Sequence, residues 1–196
     1  MEFAPITRED LPELVRLYQE YLNGGDYIGR EAERAFDSGL YFGVKAARDG
    51  RVAGLLGFRQ ELELTYPHPE LERELLEILG ERRYCSVDCL LVLPDYRRQG
   101  LAHELAAHAR EELRRHRIDT VQAEIWIYPT GECPAKAPLE ALGKVFWQRR
   151  EERFYPKLKD YGMTCPLCGE TCRCGAWIDL IDVSGNDDEK GEESHV

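Results

Sequence analysis

The sequence predicts one mixed α/β domain built around a central sheet. Three observations carry that expectation. Apolar residues switch between helical and alternating spacing along the chain, a strand–helix–strand unit spans Tyr84 to Tyr128, and an Asp49-Gly50 turn joins two strand-like stretches. At 196 residues with a 43% hydrophobic fraction, the chain is long enough for one sizeable core.

Thr7 is a good N-cap for a first helix, with Glu9 and Asp10 in its opening turn and Leu11, Leu14, Val15, Tyr18 and Leu22 on one stripe. Asn23-Gly24-Gly25 should stop it, and a second helical segment follows over 30–36. Leu40 to Arg48 and Arg51 to about Leu64 read as a hairpin about Asp49-Gly50. After Pro67 and Pro69, a short amphipathic helix carries Leu71, Leu75, Ile78 and Leu79. Tyr84 to Leu93 is strand-like. A long helix over 100–116 buries Leu101, Ala102, Leu105, Ala106, Ala109 and Leu113. Thr120 to Tyr128 alternates as a strand, Leu139 to Tyr155 is expected to be helical, and 176–183 closes the fold as a strand. The strand–helix–strand unit calls for a right-handed parallel crossover.

Net charge is −11, which argues against a nucleic-acid binder, since that function needs a positive surface. It would instead favour encounter with a cationic substrate. Part of the excess lies in 184–196, where Asp187, Asp188, Glu189, Glu192 and Glu193 predict a solvated acidic tail outside the domain of 1–183. No apolar run is long enough to cross a bilayer, and the N-terminus lacks the basic start and apolar stretch of a secretory signal, so no membrane partner and a cytoplasmic location are expected.

The most informative stretch is Leu90-Leu91-Val92-Leu93-Pro94-Asp95-Tyr96-Arg97-Arg98-Gln99-Gly100-Leu101-Ala102, a strand, a tight turn and a helix start rich in small residues. Free N–H groups at a helix N-terminus hold phosphate, small residues admit it to the backbone, and arginines add charge. Arg97-x-x-Gly100-x-Ala102, after a strand ending Val92-x-Pro94, resembles the pyrophosphate-binding signature of the GNAT superfamily of acyl-CoA-dependent N-acyltransferases. The element order over 1–183 is similar as well. The resemblance implies a splayed central sheet and binding of acetyl-CoA. The amides of Arg97, Arg98, Gln99, Gly100, Leu101 and Ala102 would wrap the pyrophosphate. The backbone of Leu91, Val92 and Leu93 would pair with the pantetheine arm, in the gap between the Tyr84–Leu93 and Thr120–Tyr128 strands. Homodimers occur among relatives.

Transfer to an amine requires removal of the amine's proton and a proton for the departing thiolate. In many relatives the base sits on the strand before the phosphate loop. Ser86 and Asp88 match those positions, and alternation places them on one face with Cys89 opposite. Asp88 is the ionisable one, and Glu124 on the neighbouring strand is the second candidate. A structural carboxylate bonded to a nearby amide or arginine is the alternative for Asp88, and a solvated strand face for Glu124. The resemblance assigns the proton donor to a tyrosine on the last helix, matched by Tyr155 in preference to Tyr161. Trp126 and Tyr128 either line the acceptor pocket or pack in the core.

Among seven cysteines, Cys165, Cys168, Cys172 and Cys174 crowd into one segment. Cys-Pro-x-Cys-Gly followed by Cys-x-Cys offers tetrahedral soft ligands suited to structural zinc, with disulfides or iron as alternatives. Such a knuckle, over 165–174, should lie near the acceptor end of the cleft. Cys85, Cys89 and Cys133 are expected as buried filler, and His103 and His108 as surface residues without function. The reading is therefore an N-acetyltransferase acting by direct attack in a ternary complex on a small-molecule or protein amine. The alternatives are a non-catalytic acyl-CoA-binding module, a zinc-knuckle docking module, and an enzyme using another acyl-CoA.

Overall fold

A computed structural model describes residues 1–22, 27–65, 67–155, 158, 164–169 and 171–185, with 27–29 by backbone alone. The Asn23-Gly24-Gly25 stop, Tyr161 and most of the acidic tail lie outside the described residues.

The chain opens with a strand absent from the sequence reading, β1 (Glu2–Pro5), which pairs antiparallel at the sheet edge. Four residues ending in proline give too little alternation to read. Thr7 caps a single 3-10 turn, Arg8–Asp10. Its amide and hydroxyl donate to the Asp10 carboxylate at 2.8 and 3.0 Å. Helix α1 (Leu11–Tyr21) follows and buries Leu11, Leu14, Leu17 and Tyr18, and then comes α2 (Tyr27–Asp37). Strands β2 (Tyr41–Arg48) and β3 (Arg51–Arg59) form the expected hairpin. Asp49 and Gly50 both take left-handed φ, +52° and +74°, as a type I′ turn demands. β3 ends at Arg59 rather than near Leu64. Helix α3 (Pro69–Leu79), β4 (Tyr84–Val92), α4 (Leu101–Arg115) and β5 (Thr120–Ile127) stand close to where the pattern put them.

The helix expected over 139–155 is overturned. The structure has a single-turn α5 (Lys136–Glu140) followed by strand β6 (Lys144–Glu151), which pairs antiparallel with β7 (Gly175–Asp182). Gly143 marks the break, because a Cβ there would sit 2.1 Å from the Asp182 carbonyl oxygen. Val145, Phe146 and Trp147 suit an edge strand. Phe146 is an unpaired bulge residue, and that extra residue disguises the period of two.

The sheet runs β1-β2-β3-β4-β5-β7-β6, antiparallel except for β4 beside β5. Helix α4 covers one face. There Leu105, Ala106, Ala109 and Leu113 pack on Leu56, Phe58, Val121, Ala123 and Ile125, and each fully buried leucine stabilises by roughly 1.5–3 kcal/mol. The opposite face carries α1 and α2 over β3 and β4, and α3 with the cysteine segment over β5 and β7. Among the described residues no helix is long and apolar enough to cross a membrane.

Candidate functional site

Strands β4 and β5 pair only at Tyr84–Thr120, Cys85–Val121 and Ser86–Gln122. Beyond Ser86 they diverge, and a cavity of about 470 Å³ lies in the gap, lined by Val87 to Leu90 on one side and Glu124 to Trp126 with Tyr128 on the other. The expected splay is therefore present. Asp88 and Glu124 each stand two residues past the last paired position, one on each lip.

Below the gap, β4 leads through a 3-10 turn (Pro94–Tyr96) into α4. Arg98 and Gly100 adopt left-handed φ of +59° and +85°, turning the chain so that Gly100 becomes the N-cap. A Cβ on Gly100 would meet nothing within 4 Å, so the space above the bend is open. Among the described residues, no backbone carbonyl accepts from the amides of Arg98, Gln99, Gly100, Leu101 or Ala102. Those amides suit a diphosphate. The loop is braced from within, since Gln99 Nε2 donates to the Asp95 carbonyl and Arg97 Nε to the Val92 carbonyl, both at 2.8 Å. Of the proposed pantetheine partners, the Leu93 amide donates to Ala53 O on the β3 side at 2.9 Å. Neighbouring strand residues point their polar groups to opposite edges, so Val92 faces the gap.

Asp88 occupies a β-bulge. Gly57 pairs with Cys89 and Phe58 with Val87, which leaves Asp88 as the extra residue of β4. The strict alternation expected for 86–89 fails here. Cys89 packs with Tyr41, Leu55 and Leu91, on the face of β3 that carries Arg59, and Arg59 Nε meets Asp88 Oδ1 at 2.9 Å. Asp88 Oδ2 is buried with no partner among the described residues. Burial pushes this carboxyl up to about 7, and the Arg59 guanidinium acts in the opposite sense. Arg59 also holds Glu63 at 2.9 Å, and both line the cavity. Sequence reasoning missed this pair. The available signal was an arginine ending the apolar run of β3, followed four residues later by a glutamate.

Glu124 has both oxygens held by neutral donors, Tyr155 Oη at 2.6 Å and the Thr65 amide at 2.8 Å. Burial raises its pKa, and these two bonds oppose the rise. Tyr155 is not on a helix. It follows β6, is 1% exposed, and lies behind the cavity wall with its hydroxyl committed to Glu124, while burial and Glu124 push its phenol well up. Trp126 and Tyr128 do line the cavity. His103 and His108 are exposed, and His108 stacks on Phe3 with centroids 4.1 Å apart. Cys85 and Cys89 are buried filler, and Cys133 is half-buried.

The sulfurs of Cys165, Cys168, Cys172 and Cys174 all lie within 4.8 Å of one another. Cys174 Sγ stands 3.8 Å from Cys165 Sγ and 3.7 Å from Cys168 Sγ. A tetrahedron with metal–sulfur bonds of about 2.3 Å has edges of about 3.8 Å, whereas a disulfide needs about 2.05 Å. All four are free thiols. The Arg173 and Cys174 amides point at Cys168 and Cys172 sulfurs, both at 3.4 Å, as knuckle amides do around thiolates. Burial and neighbouring Cys165 push the Cys172 thiol up to about 11, a cost that a cation would reverse. The donor set fits a zinc-class ion.

The Acetyltransferase (GNAT) family matches residues 7–130. Among solved structures, the ribosomal-protein-S18-alanine N-acetyltransferase of Escherichia coli aligns at 20% identity and TM-score 0.53, over 97% of this chain and 99% of that one. The NatC complex bound to Gag peptide and CoA aligns at 16% identity and TM-score 0.60, over 93% and 99%. The aminoglycoside 6'-N-acetyltransferase from Enterococcus faecium aligns at 14% identity and TM-score 0.57, over 96% and 100%. No curated protein matches the chain. Identities this low speak to the fold alone, and the family match covers well over half of the sequence. With its open phosphate bend and splayed strands, the chain belongs to the GNAT acetyltransferase family and is an acyl-CoA-dependent acyltransferase.

Proposed function

We propose that the protein transfers an acetyl group from acetyl-CoA to a cationic amine by direct attack in a ternary complex. The observation that carries this reading is the pair of cavity-lining carboxylates, Asp88 and Glu124, set at equal offsets where β4 and β5 part. The diphosphate sits on the amides of 98–102, and the pantetheine arm runs along Val92 into the gap. Asp88 Oδ2, unpartnered and raised in pKa, takes the proton of the acceptor ammonium. The freed amine nitrogen attacks the thioester carbon, the C–S bond breaks, and the thiolate leaves with the electron pair. Glu124, fixed by Tyr155 and Thr65, orients the ammonium. Tyr155 thus acts through Glu124. Tyr128, which lines the same cavity, supplies the phenol that protonates the thiolate.

Glu63, Asp88 and Glu124 line the cavity against a single described cation, Arg59, so the site prefers a positively charged acceptor. The cysteine cluster holds zinc, and a reducing compartment such as the cytoplasm suits its free thiols. The test is CoA-thiol release against a panel of amines, beside calorimetric CoA binding. Asp88→Asn combined with Glu124→Gln should abolish turnover and leave CoA affinity intact. Undiminished thiol release in that double variant would remove the assignment of the base.

A further inference from the structure

The cysteine cluster lies against the acceptor wall of the cavity. The Phe154 amide donates to the carbonyl of Cys174 at 3.0 Å. Tyr155, next in the chain, packs in one buried cluster with Leu158, Cys165, Cys172 and Cys174, and its hydroxyl reaches Glu124 at 2.6 Å. On the other side of the cluster, Thr164 immediately precedes Cys165 and lines the cavity. Glu124 and Trp126 stand opposite Ile178 and Ala176 of β7, on the face that the cysteine segment covers. The phosphate bend belongs to the opposite face, where α4 packs. A segment this short has no core of its own to hold it in place.

We infer that a zinc-class ion bound by Cys165, Cys168, Cys172 and Cys174 braces the acceptor wall, holding Tyr155 against Glu124, so that metal loading governs acceptor binding and leaves CoA binding alone. The inference rests on the proposed reading of Glu124 as an acceptor-side carboxylate. Four thiolates tied to one ion fix the carbonyl of Cys174. That carbonyl anchors the Phe154 amide, and the Phe154–Tyr155 pair sets the height of the phenol over β5. Tyr155 is a positioning residue in this scheme, coupling the metal to the carboxylate through contiguous packing.

The experiment uses the full chain, with metal quantified, then removed by chelation under reducing conditions, then restored with zinc alone. Three readouts are taken: CoA affinity, acceptor KM and kcat, and amide hydrogen exchange. Removal should raise acceptor KM by at least about tenfold, since misplacing a positioning contact by ~1 Å is that costly. CoA affinity should stay within about twofold, as expected of independent sites. The Phe154 amide should lose protection while residues 101–113 keep theirs, and zinc should reverse both changes. Should metal-free protein unfold entirely, Tyr155→Phe in loaded protein is the second arm. It should raise acceptor KM comparably with metal content unchanged. Failure to bind metal, an unmoved acceptor KM in metal-free folded protein, or an unmoved KM in Tyr155→Phe overturns the inference. Failure of the catalytic reading would look different. Turnover would survive Asp88→Asn with Glu124→Gln in loaded protein, while the Phe154 exchange result would still report on the brace.

Discussion

Arg59 offers a quantitative handle on Asp88. Burial alone carries that carboxyl up to about 7, and the guanidinium at 2.9 Å favours its ionised form. Replacing Arg59 by glutamine keeps polar bulk but removes the cation, which should raise the Asp88 pKa by about 1–3 units. A base must be ionised to act, so activity is lost as pH falls through its folded pKa, and raising that pKa moves the acidic limb of kcat/KM towards alkaline pH. With burial alone leaving the pKa at about 7, the rate at neutral pH should fall about twofold and the rate near pH 5 by roughly 10- to 100-fold, and both should recover towards the wild-type plateau as pH rises past the new limb. The assay is CoA-thiol release from about pH 5 to pH 10 at saturating acetyl-CoA. Arg59→Lys, which keeps the charge but not the fork to Asp88 and Glu63, should shift the limb less. An identical limb in Arg59→Gln, or a limb that persists in Asp88→Asn, refutes the assignment.

Three further outcomes follow from local geometry. Gly100→Ala should cost only about 1 kcal/mol of stability for its left-handed φ, because its Cβ meets no protein atom, yet weaken CoA binding by more than about tenfold as the methyl enters the diphosphate space; thermal melts beside calorimetry separate the two. Tyr155→Phe leaves one oxygen of buried Glu124 without its donor, which should cost about 1–3 kcal/mol in denaturant unfolding. Gly57→Ala places a Cβ 2.1 Å from Tyr41 Oη and 2.8 Å from its Cζ and should destabilise by about 1–3 kcal/mol, with partial recovery in the Gly57→Ala, Tyr41→Phe double variant, which removes the nearer of the two clashing atoms.

What could be read in the sequence was local and periodic. The hairpin at Asp49-Gly50, the apolar stripe of α4, and the glycine at its N-cap announce themselves because one residue type satisfies one backbone requirement. The cysteine cluster was legible for a similar reason, as ligand spacing within the short segment Cys165 to Cys174 is a short-range property. What escaped depends on pairing between distant strands. Phe146 and Asp88 are both bulge residues, and a bulge inserts one residue without any compositional mark. In β6 the extra residue made an edge strand resemble a helix. In β4 it brought Cys89 to the face of Arg59. The Arg59–Asp88 and Tyr155–Glu124 contacts span 29 and 31 residues, beyond the reach of periodicity.

The bulge at Asp88 also accounts for the cleft. A bulge bends its strand and increases the local twist, and this one begins directly after Ser86–Gln122, the last pair joining β4 to β5. Asp88 is then both the residue that opens the gap and the carboxylate within it. The two roles can be separated. Asp88→Asn keeps the extra residue, so the splay and CoA affinity should persist while turnover falls. Deletion of Asp88 should do the opposite to the backbone. Cys85, Val87, Leu90 and Val92 face α4, whereas Cys89 and Leu91 face α1. Removing one residue between Val87 and Cys89 therefore restores perfect alternation with every remaining side chain on its present face. The deleted protein should stay folded, with β4 and β5 pairing further along and the gap narrowed, and calorimetry should find CoA affinity lost. Retained CoA affinity in a folded deletion variant would show that the strands part for a reason other than the bulge.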